Sequence, residues 1–161
     1  MKKYAYILVL LLYSCASNIE LKEGDILFQD LDSGPLCEAI EQVTPGYNNA
    51  NLSHIGLIVS INGELKVLEA IPPKVLLTNI DEFLNRSNKV IVGRLKPEFR
   101  KSIEYAVEFA KQQVGKEYDD AFLMNNESYY CSELIYRAFE KNNIFKLEPM
   151  TFRNPKNGKT L

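Results

Sequence analysis

Two strand-like runs joined by Asn62-Gly63 make the clearest local pattern in the chain. They are His54-Ile55-Gly56-Leu57-Ile58-Val59-Ser60 and Glu64-Leu65-Lys66-Val67-Leu68-Glu69-Ala70. Asn-Gly is the preferred pair for a two-residue type I′ hairpin turn. Counting outwards from that turn pairs Ile61 with Glu64, Ser60 with Leu65, Ile58 with Val67 and Gly56 with Glu69. His54 then faces Ile71. Side chains alternate faces along a strand, so His54 and Glu69 share a face as a diagonal pair. Such neighbours lie roughly 7–8 Å apart at Cα, within reach of long side chains.

The rest of the pattern is shorter-ranged. Gly24-Asp25 reads as a turn into a strand at Ile26-Leu27-Phe28. Ser33-Gly34-Pro35 precedes Leu36, Ile40 and Val43, which predicts a short helix ending near Pro45-Gly46. Val75-Leu76-Leu77 and Val90-Ile91-Val92 read as further strands. Pro97 opens a long amphipathic helix with Phe99, Ile103, Ala106, Val107, Ala110 and Val114 at helical spacing and Gly115 as its stop. A polar loop follows. A second helix then starts at Ser128 to Cys131, with Leu134, Ile135, Ala138 and Phe139 on one side and Asn142-Asn143 at its end. Residues from Pro149 onward read as irregular. Short strands with tight turns cannot make parallel crossovers. The pattern therefore predicts an α+β fold with an antiparallel sheet packed against helices.

Composition narrows the function. The chain has 161 residues, 46% of them apolar and 25% charged, which fits one ordinary globular domain. The net charge is −2, and no basic stripe supports nucleic-acid binding. There is one histidine and no C-x-x-C, so neither a structural zinc site nor any other cofactor is expected. A basic start at Lys2-Lys3 leads into an apolar run from Tyr4 to Tyr13, the length of a signal segment rather than a membrane span. Residues 1–14 are read as a signal peptide, 15–22 as a tether and 23–161 as the working domain. Of the three cysteines, Cys37 reads as buried. Two cysteines beyond Cys15 do not make a disulfide scaffold.

Cys131 falls in the first turn of its predicted helix, where the helix dipole favours thiolate over thiol. A helix-start cysteine beside an imidazole is a thiol-protease arrangement. A carboxylate within reach of the imidazole orients the ring and sets its tautomer. Taken singly, Cys131 is more often a small buried hydrophobe, and His54 a structural histidine. Asp25 reads as a turn or strand-cap residue. Glu133 reads as a structural contact or cleft residue, and Tyr129-Tyr130 as packing beside the site.

A resemblance raises the weight of the set. Asn51-Leu52-Ser53-His54-Ile55-Gly56-Leu57, Leu68-Glu69-Ala70 and Tyr129-Tyr130-Cys131-Ser132-Glu133-Leu134-Ile135 resemble the signature of circularly permuted papain-like hydrolases. The chain is most similar there to the YiiX/YebB-like group of the NlpC superfamily. Gly24-Asp25-Ile26-Leu27-Phe28 and Gly115-Lys116-Glu117-Tyr118-Asp119 match further segments, and the likeness spans about residues 23 to 139. It implies a permuted order, with the histidine before the nucleophile. It implies Cys131 as nucleophile, His54 as base and acid, and Glu69 as the group holding the imidazole. It also implies Tyr118 and Ser132 on the oxyanion or substrate-binding side, beside the backbone N–H of Cys131.

Leu12-Tyr13-Ser14-Cys15 likewise resembles a bacterial lipobox, with Cys15 as the lipidated residue. Plain secretion and an uncut anchor are the alternatives. The expected function is a cysteine amidase or peptidase of the cell envelope, acting on a peptide, a muropeptide or another amide. The expected location is exported and lipid-anchored to a bacterial membrane. A lipid acyltransferase or phospholipase-like enzyme, which would want a membrane-facing apolar element, and a binding-only lipoprotein are the alternatives. Oligomeric state is left open.

Overall fold

The computed structural model describes residues 19–31, 34–44, 46–147, 153 and 158–160. The signal segment, the lipobox and Cys15 lie outside the described residues. Five strands form one antiparallel sheet in the order β4-β3-β2-β1-β5. They are β1 (Ile26–Gln29), β2 (His54–Ile61), β3 (Glu64–Ile71), β4 (Lys74–Asn79) and β5 (Val90–Gly93). Helix α1 (Pro35–Val43) connects β1 to the loop before β2, α2 (Ile80–Leu84) follows β4, and α3 (Lys101–Gln112) and α4 (Cys131–Glu140) close the domain.

The hairpin has the predicted register, Ile61 opposite Glu64 through Leu57 opposite Leu68. Asn62 and Gly63 both take positive φ, 52° and 83°, as a type I′ turn requires. Ladder pairing between β2 and β3 stops at Leu57 and Leu68, while β2 continues against β1 as far as His54 and Gln29. His54 and Glu69 therefore lie just past the end of the shared ladder.

Helices α3 and α4 pack on each other, and α4 lies across β2 and β3. Ile26, Leu57, Val59, Leu68, Leu134 and Phe139 belong to the core beneath them. The opposite face carries Leu27, Ile58, Val67 and Phe83, the last from α2. Leu57, Ile58 and Val59 are all fully buried, because helices cover both faces of β2. That explains an unbroken apolar run in an antiparallel strand, where one wet face would give alternation.

The structure corrects two expectations and adds one element. Helix α2 has only five residues, too short for periodicity to reveal. The predicted Pro97 helix begins as a 3-10 turn at Pro97–Phe99 and becomes α-helical from Lys101, and both Phe99 and Val114 at its ends are exposed. Cys37 is half-buried on α1 rather than buried.

Candidate active site

Cys131 is the first residue of α4. Tyr130 before it is extended and gives no side-chain cap. Instead the Glu133 carboxylate accepts from the Tyr130 backbone N–H, the returning half of a capping box. This accounts for Glu133, which is buried and ion-paired with Arg137 at 3.5 Å. The first-turn N–H groups of a helix have no intrahelical acceptor, which leaves the Cys131 N–H as a donor beside the thiol.

His54, the first residue of β2, is buried. Its Nε2 lies 2.6 Å from Glu69 Oε2. With Nε2 committed to the carboxylate, Nδ1 is the nitrogen left for the side-chain hydrogen bond to Cys131. Burial pulls the imidazole pKa down. The hydrogen bond to Cys131, the hydrogen bond to Glu69 and the charges of both outweigh burial, and the pKa is raised to about 9.

Glu69 is fully buried and saturated with donors. Thr78 Oγ1 donates to its Oε1. Arg86 forks it, with Nη1 donating to Oε2 at 3.0 Å and Nη2 lying 2.8 Å from Oε1. Burial opposes the charge of Glu69. The hydrogen bonds from His54, Arg86 and Thr78 overcome that and hold its pKa below the ordinary value, so it stays a carboxylate.

The array opens on a cavity of about 740 Å³. Phe28, Ile40, Leu52, Ile55, Val92 and Phe122 give it an apolar wall, and Ser132 and Tyr130 line it beside Cys131. Among the described lining residues His54 is the only one that can carry a cationic charge, and none is a carboxylate. Ser132 is exposed. Tyr118 is half-buried, edge-on to Phe122, and within electrostatic reach of Cys131. Burial first, then the charge of Cys131, push its hydroxyl well above the ordinary range, so it remains a hydrogen-bond donor.

The sequence reading did not name Thr78 or Arg86. Thr78 was reachable by counting one hairpin further. Glu69 pairs with Leu76 across β3 and β4, which puts Thr78 diagonal to it on the same face. Arg86 carried no such signal, since it follows the short α2. Asp25 is buried in a bidentate ion pair with Arg94 and stands apart from the cavity lining.

Gly56 gives the site a structural handle. A Cβ there would meet Val67 Cγ1 at 2.5 Å and Phe83 Cε2 at 3.3 Å. Phe83 stacks 5.9 Å from His54. Gly56→Ala is expected to lower the unfolding free energy by about 1–3 kcal/mol, from overpacking, and to displace the imidazole. Urea unfolding alongside the histidine chemical shift checks this, and unchanged values of both would refute it.

A histidine strand that precedes a cysteine helix, on an antiparallel sheet packed by helices, defines the permuted papain-like class. The chain belongs to the family described as "Permuted papain-like amidase enzyme, YaeF/YiiX, C92 family", whose model matches residues 20–161. It is 30% identical over 145 residues to the uncharacterized protein YiiX of Escherichia coli strain K12, covering 87% of this chain and 68% of that protein. A crystal structure titled as metalloprotein yiiX from Escherichia coli O157:H7 superposes with a TM-score of 0.63 at 25% identity, covering 80% of this chain and 69% of that one. Among the described residues here, no group of three or more His, Cys, Asp or Glu side chains is placed to hold a metal ion.

Proposed function

We propose that this protein is a thiol amidase that cleaves an amide whose acyl part is apolar, through Cys131, His54 and Glu69. The observation that carries the reading is the hydrogen-bonded Cys131–His54–Glu69 array at the mouth of an apolar cavity. The Cys131 thiolate attacks the carbonyl carbon, and the carbonyl electron pair moves onto oxygen. The Cys131 N–H and the Tyr118 hydroxyl donate to that oxyanion. The intermediate collapses to a thioester as His54 passes its proton to the departing amine. Neutral His54 then takes a proton from water, the resulting hydroxide attacks the thioester, and the thiolate leaves.

The cavity decides which amides suit the site. A peptidoglycan stem peptide brings carboxylates and ammonium groups, and the described lining offers them little countercharge. A hydrocarbon acyl group matches the wall. Acyl transfer on lipids is the second reading, since a lipid acyl chain would meet the same apolar wall. In both readings the protein is exported and tethered through a lipidated Cys15, facing the envelope. Among the described residues no helix is long and apolar enough to cross a membrane.

The test is a panel of muropeptides, N-acyl amino acids of graded chain length and acyl esters, read by mass spectrometry beside Cys131→Ala. Cleavage of N-acyl amides that strengthens with chain length and vanishes in Cys131→Ala is expected. Turnover of muropeptides alone would replace the apolar-acyl reading. Turnover that survives Cys131→Ala would remove the mechanism.

A further inference from the structure

Arg86 stands one shell outside the reacting pair, and its geometry is more specific than a surface ion pair needs. Its guanidinium engages both oxygens of Glu69, at 3.0 and 2.8 Å, while Nη2 also reaches Thr78 Oγ1 at 3.4 Å. Cation–π contact with Phe83, 5.7 Å to the ring centre, holds it from α2, and Phe83 in turn packs on His54. A planar fork matched to a carboxylate fixes orientation as well as charge.

We propose that Arg86 is a positioning residue that keeps Glu69 ionised and aimed when His54 gives up its proton. The proposal rests on the thiol-amidase reading for its consequence in turnover. The charged groups around the imidazole are few. Cys131 faces it from α4, Glu69 from β3 and Arg86 from the segment after α2. Tyr118 lies near Cys131, and Glu82 of α2 lies 3.6 Å from Arg86 toward solvent. In the resting state Glu69 sits between two cationic partners, His54 and Arg86.

When the imidazolium protonates the leaving amine, Glu69 loses its cationic partner while remaining fully buried. A buried carboxylate with only neutral donors is costly. Arg86 supplies the remaining countercharge, so His54 can release the proton without stranding Glu69. Removing that charge makes the cluster one unit more negative, and the proton is then held more tightly.

The chain has one histidine, so its imidazole resonances report this directly. Arg86→Gln is expected to raise the His54 titration midpoint by about one unit or more, the size of a nearby-charge effect. It should lower kcat on the cleaved amide about tenfold while leaving KM near wild type, because proton delivery rather than binding is affected. Arg86→Lys keeps the charge and should return the midpoint close to wild type. An unchanged or lowered midpoint in a folded Arg86→Gln protein would overturn the proposal. If Arg86→Gln does not fold, Glu82→Gln decides. Releasing the guanidinium from Glu82 strengthens its pull on Glu69, so the midpoint should fall measurably, and a rise or no change counts against Arg86. Wild-type protein that cleaves nothing in the panel defeats the amidase reading while leaving the titrations to judge Arg86.

Discussion

Titrated by nuclear magnetic resonance, the single imidazole of this chain should show a midpoint near pH 9 rather than the ordinary 6.5. The cause is Cys131 on one side of a buried ring and the Glu69 carboxylate on the other. Burial by itself favours the neutral imidazole and would move the midpoint the other way. The hydrogen bond to Cys131 is the largest of the raising influences, and Glu69 follows. Cys131→Ser replaces an ionisable thiol with a hydroxyl that does not ionise in this range, so it should lower the midpoint by about one unit or more. Glu69→Gln should lower it as well, by removing the other charge. A midpoint near 6.5 in the wild-type protein, indifferent to Cys131→Ser, would mean that the pair is not coupled. In that event His54 is a structural histidine beside an ordinary cysteine. For turnover the sign is the same. His54 remains able to protonate a leaving amine until the pH passes its folded value, so amide cleavage should decline above about pH 9.

Glu69→Ala should be the most destabilising single truncation in the site, costing about 3 kcal/mol in urea unfolding at pH 7. Glu69 is fully buried and accepts from His54, Thr78 and Arg86 together. Truncation leaves three donors, one of them a guanidinium that is largely covered, facing a void. Glu69→Gln keeps the volume and removes the charge, and it separates packing from electrostatics. The pH dependence has a definite sign. The folded pKa of Glu69 is lowered below its ordinary value of 4.5, so the charge contributes stability above pH 4.5 and loses it as pH falls through the folded value. Wild-type protein should therefore lose stability below pH 4.5 more steeply than Glu69→Gln. Parallel acid limbs in the two proteins would show that the carboxylate is not held ionised by its partners.

The Asn62-Gly63 turn shows how far local rules reach. A two-residue loop of that composition favours the type I′ turn, the turn sets the register, and the register puts His54 and Glu69 on one face. The arrival of Glu69 at His54 was thus legible before any tertiary contact was known. Helix α4 was equally legible, because its apolar stripe and its start at Cys131 are encoded within ten residues. Both features rest on interactions between residues close in the chain.

What only the tertiary structure decided depends on segments that meet from far apart. The hydrogen bond between Cys131 and His54 joins residues 77 positions apart, and no local rule carries that distance. The apolar cavity draws its wall from β1, α1, β5 and the Phe122 loop, none of which reads as a binding element alone. Arg86 reaches Glu69 because α2 turns the chain back over β3, and a five-residue helix leaves no periodic trace. Periodicity and turn chemistry specify which way a side chain points within its own element. Which partner it finds depends on how layers stack, and stacking is settled by burial summed over the whole domain.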